Sequence, residues 1–219
     1  MIVVISPLLN DTIVKAFAGW SQTIEIALLT VKDMMSEGWE LYSDRFEDSF
    51  FVANGKQCAV NQIDGVINLL PFIYEKELIQ IKEEDRSYVA SELTAMMTYF
   101  LTKLSCKTIN RPDAESLMGS SNLYYQWKHL VQKLGIGVQN ISDQSPTACI
   151  YVVGEMLLNL QELPFANEIR LLAKQLNTNY LEVKFVQSDN TWYCIAISKT
   201  INLTHAGVME LLRYYFDTP

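Results

Sequence analysis

Histidine is almost absent from this chain: His129 and His205 are the only two in 219 residues. With so little imidazole, and no serine or cysteine at a suggestive spacing, a nucleophilic triad is not indicated. Cys58, Cys106, Cys149 and Cys194 never form a Cys-x-x-Cys pair, so neither a zinc knuckle nor a redox dithiol is expected. They read as ordinary thiols of a reducing compartment. Basic residues are outnumbered, 17 Lys and Arg against 25 Asp and Glu, for a net charge of −8. Nucleic acid and anionic membranes both require a concentrated basic surface, so neither is expected as a partner. No apolar run approaches the roughly 20 residues of a membrane span. The amino-terminal Ile2-Val3-Val4-Ile5 has no basic flank or small-residue cleavage site, so it reads as a strand and predicts a cytoplasmic protein. Internal repeats and low-complexity tracts are missing as well.

What is present is an apolar content of 49% with 19% charge, enough to bury a sizeable core. Residues 2–6 form a compact apolar strand, and Asn10 or Asp11 can cap a helix carrying Ile13, Val14 and Phe17. Residues 25–30 return to strand character, and 31–39 can hold a short helix stopped at Gly38. This strand, helix, strand order favours a small parallel sheet. Asn54-Gly55 between two apolar stretches signals a hairpin. The run 63–73, interrupted by Pro71, suits a buried strand ending near Leu70.

Residues 85–138 hold the longest pattern. Val89, Leu93, Met96, Met97, Phe100, Leu101 and Leu104 recur at three- and four-residue spacings, which predicts a helix over 86–104. The acidic run Glu83-Glu84-Asp85 before it reads as a solvated helix start favoured by the dipole, with a metal site as the alternative. A short strand at 106–110 ends at Arg111-Pro112. Leu123, Trp127, Leu130, Val131 and Leu134 mark a second helix, with Ser120 and Ser121 as capping candidates and Gly135 as its stop. Asp113 and Glu115 suit either turn capping or pairing with Arg111. The polar stretch 139–146 is the best candidate boundary. Beyond it come a strand at 148–153, a turn and partner strand at 154–160, a helix at 164–176, an alternating strand at 180–186, a strand at 191–198 and a helix at 204–216.

Residues Tyr88 to Glu92, Ile109-Asn110-Arg111-Pro112, and Gln126-Trp127-Lys128 leading to Leu134-Gly135-Ile136-Gly137-Val138, in that order, resemble the ATP-grasp ligases. They are similar to the region where the preATP-grasp domain hands over to the nucleotide-binding part. Tyr151 to Glu155, the helix at 168–176, the strand at 180–185 and Trp192-Tyr193 onward resemble the end of the same fold. The resemblance implies an α/β chain: a preATP-grasp-like parallel sheet with flanking helices over 1–112, connecting helices and a polar loop over 113–146, and a small, mainly antiparallel α+β remnant of the ATP-grasp domain over 147–219. Asn110 and Arg111, at the carboxyl end of a strand where ligands gather, and Lys128 in its matched motif are the ligand-binding candidates. The Arg111 fork suits a carboxylate.

The chain departs from the family in two ways. Where such ligases carry a subdomain covering ATP, only 139–146 stand here. The family also holds two magnesium ions between a carboxylate on the penultimate strand and an acid-x-asparagine pair on the last, because this hard cation takes oxygen ligands. Those positions fall on Lys184, Ala196 and Ser198, and Cys149 falls where an arginine binds the triphosphate. A register error of two residues would bring Glu182 in place of Lys184. The implied protein is a non-catalytic subunit with no metal and no cofactor, binding an intact ATP-grasp ligase, a peptide or a second copy of itself in a peptide or natural-product pathway. The alternative is an enzyme, either a split ligase completed by another chain or a repurposed site around Arg111. Loss of the covering subdomain also predicts exposed apolar surface at Ile136, Val138 and Tyr151, to be covered by a partner.

Overall fold

The computed structural model describes residues 1–20, 24–113, 116–119, 123–139, 146–159, 161 and 163–218. The expected caps Ser120 and Ser121, Glu115 and most of the polar stretch 139–146 therefore lie outside the described residues. The chain divides into two compact units, Met1–Gly119 and Ser120–Pro219.

The first unit is a four-stranded parallel sheet in the order β2-β1-β5-β6. Strand β1 (Ile2–Ser6) is buried throughout, as a central parallel strand covered on both faces must be. Helix α1 (Asp11–Ala18) follows, with the Asn10 side chain accepting from the Ile13 amide at 3.0 Å, and leads to β2 (Ile26–Thr30). Helix α2 (Val31–Met34) is shorter than the expected 31–39. Strands β3 (Phe50–Ala53) and β4 (Lys56–Ala59) form the expected hairpin, and Asn54 and Gly55 take positive φ of 53° and 67°, the signature of a type I′ turn. The sheet is completed by β5 (Gly65–Asn68) and β6 (Lys107–Ile109), joined by α3 (Arg86–Lys103). One face of α3 supplies Leu93, Met97, Phe100 and Leu101 to the core. There Phe100 meets Trp39 at 5.5 Å, Phe51 at 5.7 Å and Phe46 at 6.0 Å between ring centroids.

A buried carboxylate ties the hairpin to the sheet. Asp33 Oδ2 accepts from the Thr30 amide at 2.9 Å and the Thr30 hydroxyl at 2.6 Å, and Oδ1 accepts from the Gly55 amide at 2.8 Å. The Asn54 amide in turn donates to Leu28 O at 2.8 Å, so the hairpin turn covers part of the edge that β2 would otherwise expose.

The second unit contains a five-stranded sheet in the order β7-β11-β10-β8-β9. Helix α4 (Leu123–Lys133) precedes β7 (Gly137–Val138), and β8 (Ala148–Val153) turns through Gly154 into β9 (Met156–Asn159). Helix α5 (Ala166–Gln175) follows, then the long hairpin of β10 (Tyr180–Ser188) and β11 (Thr191–Ser198), and α6 (Ala206–Asp217). Trp127 and Val131 of α4, Ile169 and Leu172 of α5, and Ile150, Val152, Leu181, Val183 and Phe185 of the sheet form one core. Gly154, at φ 58°, sits against Tyr215 of α6, where an added Cβ would come within 2.5 Å of the ring. No helix among the described residues is long and apolar enough to cross a membrane.

This arrangement overturns one expectation. Ile136 and Tyr151 are buried and Val138 is half-buried. Ile136 joins the core around α4, and the Tyr151 ring lies against His205 at 5.1 Å.

Replacement of Asp33 by Ala should remove three hydrogen bonds to a buried carboxylate and lower stability by about 2–3 kcal/mol. Urea denaturation with an unchanged slope is the measurement. Glu37→Ala, an exposed neighbour, should stay within about 0.5 kcal/mol of the parent.

Candidate functional site

Cross-strand pairing in the second unit brings four of the singled-out positions onto one face of the sheet. Lys184 pairs with Cys149 of β8 on one side and Ala196 of β11 on the other. In the adjacent row Glu182 pairs with Tyr151 and Ser198. Leu181, Val183 and Phe185 point to the opposite, core face, as the period of two requires. A bulge makes this layout possible. Phe185 pairs with Cys194 while Lys184 pairs with Ala196, leaving Ile195 as the extra residue. Cys194 therefore enters the core, while Ala196 and Ser198 share the face of Lys184 and Glu182.

The charges on this face neutralise one another. Lys184 Nζ lies 3.5 Å from Glu182 Oε2, with the lysine side chain 35% exposed and the glutamate 8%. Glu182 lies one row away from Lys184 on the same face and is its ion-pair partner. Burial pushes the Tyr151 hydroxyl up to about 12, assisted by Cys149 and Glu182 beside it. Burial also raises the Cys149 thiol, with Glu182 adding to the effect, so Cys149 is no activated nucleophile. The Tyr180 hydroxyl, raised chiefly by burial, accepts from the Asn202 amide at 3.1 Å. Ser198 Oγ accepts from the Thr200 amide at 3.0 Å. This donor set does not fit magnesium: an ammonium stands at one position, a methyl group at another, and the one carboxylate is already paired. Among the described residues no group of three or more His, Cys, Asp or Glu is placed to hold a metal ion.

The other candidates occupy different surroundings. Lys128 lies on α4, half-buried, with Nζ 5.8 Å from the Trp127 ring centroid. Asn110 and Arg111 belong to the first unit, just past β6. Asn110 takes φ 64° and is buried; its Nδ2 donates to Asn68 O at 3.1 Å, and Asn68 Nδ2 donates to Asn110 O at 3.3 Å. Arg111 folds back, Nη1 donating to Leu104 O at 3.2 Å and Nη2 to Cys106 O at 2.8 Å. Asp113 Oδ1 accepts from the Ser116 amide at 3.0 Å. The sequence reading missed Asn68, a buried amide ending an apolar strand, and Tyr151 with its His205 cover. An asparagine closing an otherwise aliphatic strand was the available signal for the first.

No family model matches this chain, and no curated protein does. Solved structures do match. Macrocyclase MdnC of Microcystis aeruginosa MRC, bound with precursor peptide MdnA, superposes with a TM-score of 0.71 at 13% identity, covering 100% of this chain and 100% of that one. The fold is ATP-grasp-like. The RiPP-associated ATP-grasp ligase of Chryseobacterium gregarium, in complex with ADP and a leader and core peptide, gives a TM-score of 0.68 at 11% identity over 99% of this chain and 95% of that one. Macrocyclase MdnB, also from Microcystis aeruginosa MRC, gives 0.66 at 9% identity over 100% of this chain and 99% of that one. The mixed architecture of an ATP-grasp-like fold, a parallel sheet followed by an antiparallel one, agrees with the fold class expected from the motifs.

The two raised tyrosines make stability fall in alkali. Their native forms hold protons that the unfolded chain releases above about pH 10. The contribution is present below that pH and is lost as pH rises from about 10 towards the folded value of about 12 for Tyr151. Thermal melts should show a steeper loss over this window in the parent than in Tyr151→Phe.

Proposed function

We propose that the chain is a non-catalytic, shortened ATP-grasp-like subunit that binds a peptide or a partner ligase in a peptide-modifying pathway. The observation carrying this reading is the Lys184–Glu182 ion pair, in which Lys184 stands in the row of Cys149 and Ala196 and Glu182 in the next. By the family resemblance this is where carboxylates would hold magnesium against phosphates. A cation that already has a neighbouring counter-charge repels a metal ion and has little left to offer a triphosphate.

The short connection between β7 and β8 supports the same reading. Strand β7 ends at Val138 and β8 begins at Ala148, so residues 139–147 are all that stand where a covering subdomain would be inserted. The peptide side of the reading draws on the neighbours, two of which carry precursor, leader or core peptides. The enzymatic alternative around Arg111 loses ground because two guanidinium donors are spent on main-chain carbonyls.

Isothermal calorimetry with magnesium-ATP tests the proposal. No binding heat is expected for the purified chain, and micromolar affinity would overturn it. A companion measurement concerns the ion pair: Lys184→Met should be less stable than Lys184→Met/Glu182→Gln, because the single change strands a buried carboxylate. Equal stability of the two would remove the pair from the argument.

A further inference from the structure

The first unit presents a groove of mixed apolar and polar lining beside an acidic stretch of chain. The groove runs between residues 73–75 and the outward face of α3, is lined by Ile73, Tyr74, Ala90 and Ala95 together with Glu75 and three hydroxyl side chains, and has a volume of about 530 Å³. Large apolar side chains stand exposed on the same stretch of chain: Ile79 at 77%, Tyr88 at 68%, Tyr74 at 45% and Phe72 at 37%. Tyr74 lines the groove and the other three stand on the chain that flanks it, and exposed apolar side chains gathered on one segment are a mark of docking.

These side chains are held in place. Arg86 Nε donates to Ile81 O at 3.0 Å and Nη2 to Ile79 O at 3.5 Å, fastening the segment before α3 to its first turn. The Phe72 and Tyr74 rings lie 6.0 Å apart. Phe100, Leu101, Met97 and Leu93 fix the opposite face of α3 in the core.

Charge decides the occupant. Residues 75–92 carry Glu75, Glu77, Glu83, Glu84, Asp85 and Glu92 against Lys76, Lys82 and Arg86. None of the six carboxylates enters any of the three ion pairs found among the described residues, Met1–Asp64, Lys184–Glu182 and Arg213–Asp217. Of the cations, Lys76 lies over the Tyr74 ring at 5.1 Å and Arg86 is committed to carbonyls. A second copy of a chain with net charge −8 would bring like charge to this surface. We infer that the groove and the flanking segment 72–92 dock an amphipathic basic segment of a partner protein, with apolar side chains against Tyr74 and its exposed apolar neighbours and Lys or Arg against the acidic residues of that segment. The inference rests on the reading of the chain as a binding subunit and adds the chemistry of its partner.

The test uses the full chain and a fluorescein-labelled amphipathic Leu/Lys peptide of about five helical turns, followed by anisotropy at low and moderate salt. Tyr88→Ala/Ile79→Ser should weaken binding about tenfold or more, and Glu83→Lys/Glu84→Lys should do the same. Leu171→Ala, an exposed residue of the second unit, should change nothing, and a Leu/Glu peptide should not bind. Unchanged affinity in both groove variants would mean diffuse attraction to an acidic protein and overturns the inference. So would a dimer in light scattering that those variants dissolve, since the occupant would then be a second copy. Magnesium-ATP binding with intact peptide discrimination would defeat the non-catalytic reading and leave the groove standing. Loss of discrimination without nucleotide binding would defeat the groove alone.

Discussion

Strand β10 is the member on which the second unit depends, because it pairs on both sides at once. Its hydrogen bonds to β8 and β11 fix which residues share a row. A slip of one position would send Leu181, Val183 and Phe185 outward and bring Glu182 and Lys184 into the apolar core. The penalty for burying two charges among those aliphatic and aromatic side chains makes the register unambiguous. The polar row is thus a by-product of the strongest packing in the unit, and it is rigid for that reason.

The first unit obtains its order differently. Its sheet is parallel, so every connection must cross over, and the crossovers need fastenings at the strand ends. Asp33 gathers the amides of Thr30 and Gly55. Asn68 and Asn110 exchange donors across the ends of β5 and β6. Arg111 closes the loop between α3 and β6 from its far end. All three fastenings use a side chain to satisfy main-chain groups that regular pairing leaves open. The residues that looked most available for a ligand in sequence, Asn110 and Arg111, belong to this set.

Much of this was legible in the sequence where one physical cause governs one pattern. The Asn54-Gly55 turn, the period of α3, the aliphatic β1 and the alternation of Leu181, Val183 and Phe185 all answer to a single requirement of dihedral angle or burial. Legibility ended where two elements far apart in sequence act on the same residue. Tyr151 was expected to be exposed by the loss of a covering subdomain, and nothing in its own strand announces that His205, at the start of α6, will lie over it. The last helix is capped by His205, whose Nδ1 accepts from the Val208 amide at 3.3 Å, while the Thr204 hydroxyl donates to Asn202 Oδ1 at 2.8 Å. Helix α2 stops at Met34, and the Trp39 indole donates back to Asp33 O at 2.8 Å, a tertiary contact that no periodicity encodes. Glu182 and Lys184, two residues apart on one strand face, form an ion pair that periodicity alone does not announce.

The extra residue at Ile195 separates two kinds of sequence change. Because the bulge turns the remainder of β11 by one position, Cys194 answers to the core while Ala196 and Ser198 do not. Substitutions at these last two positions meet no packing constraint from the core, and a lineage can alter them repeatedly with the sheet unchanged. Loss of Ile195 would close the bulge with Cys194 still opposite Phe185 and Ala196 still opposite Lys184, whereas one residue inserted elsewhere in β11 would exchange the two faces. The frame of this strand is held by the core, while the core places no demand on the chemistry written on its outer side.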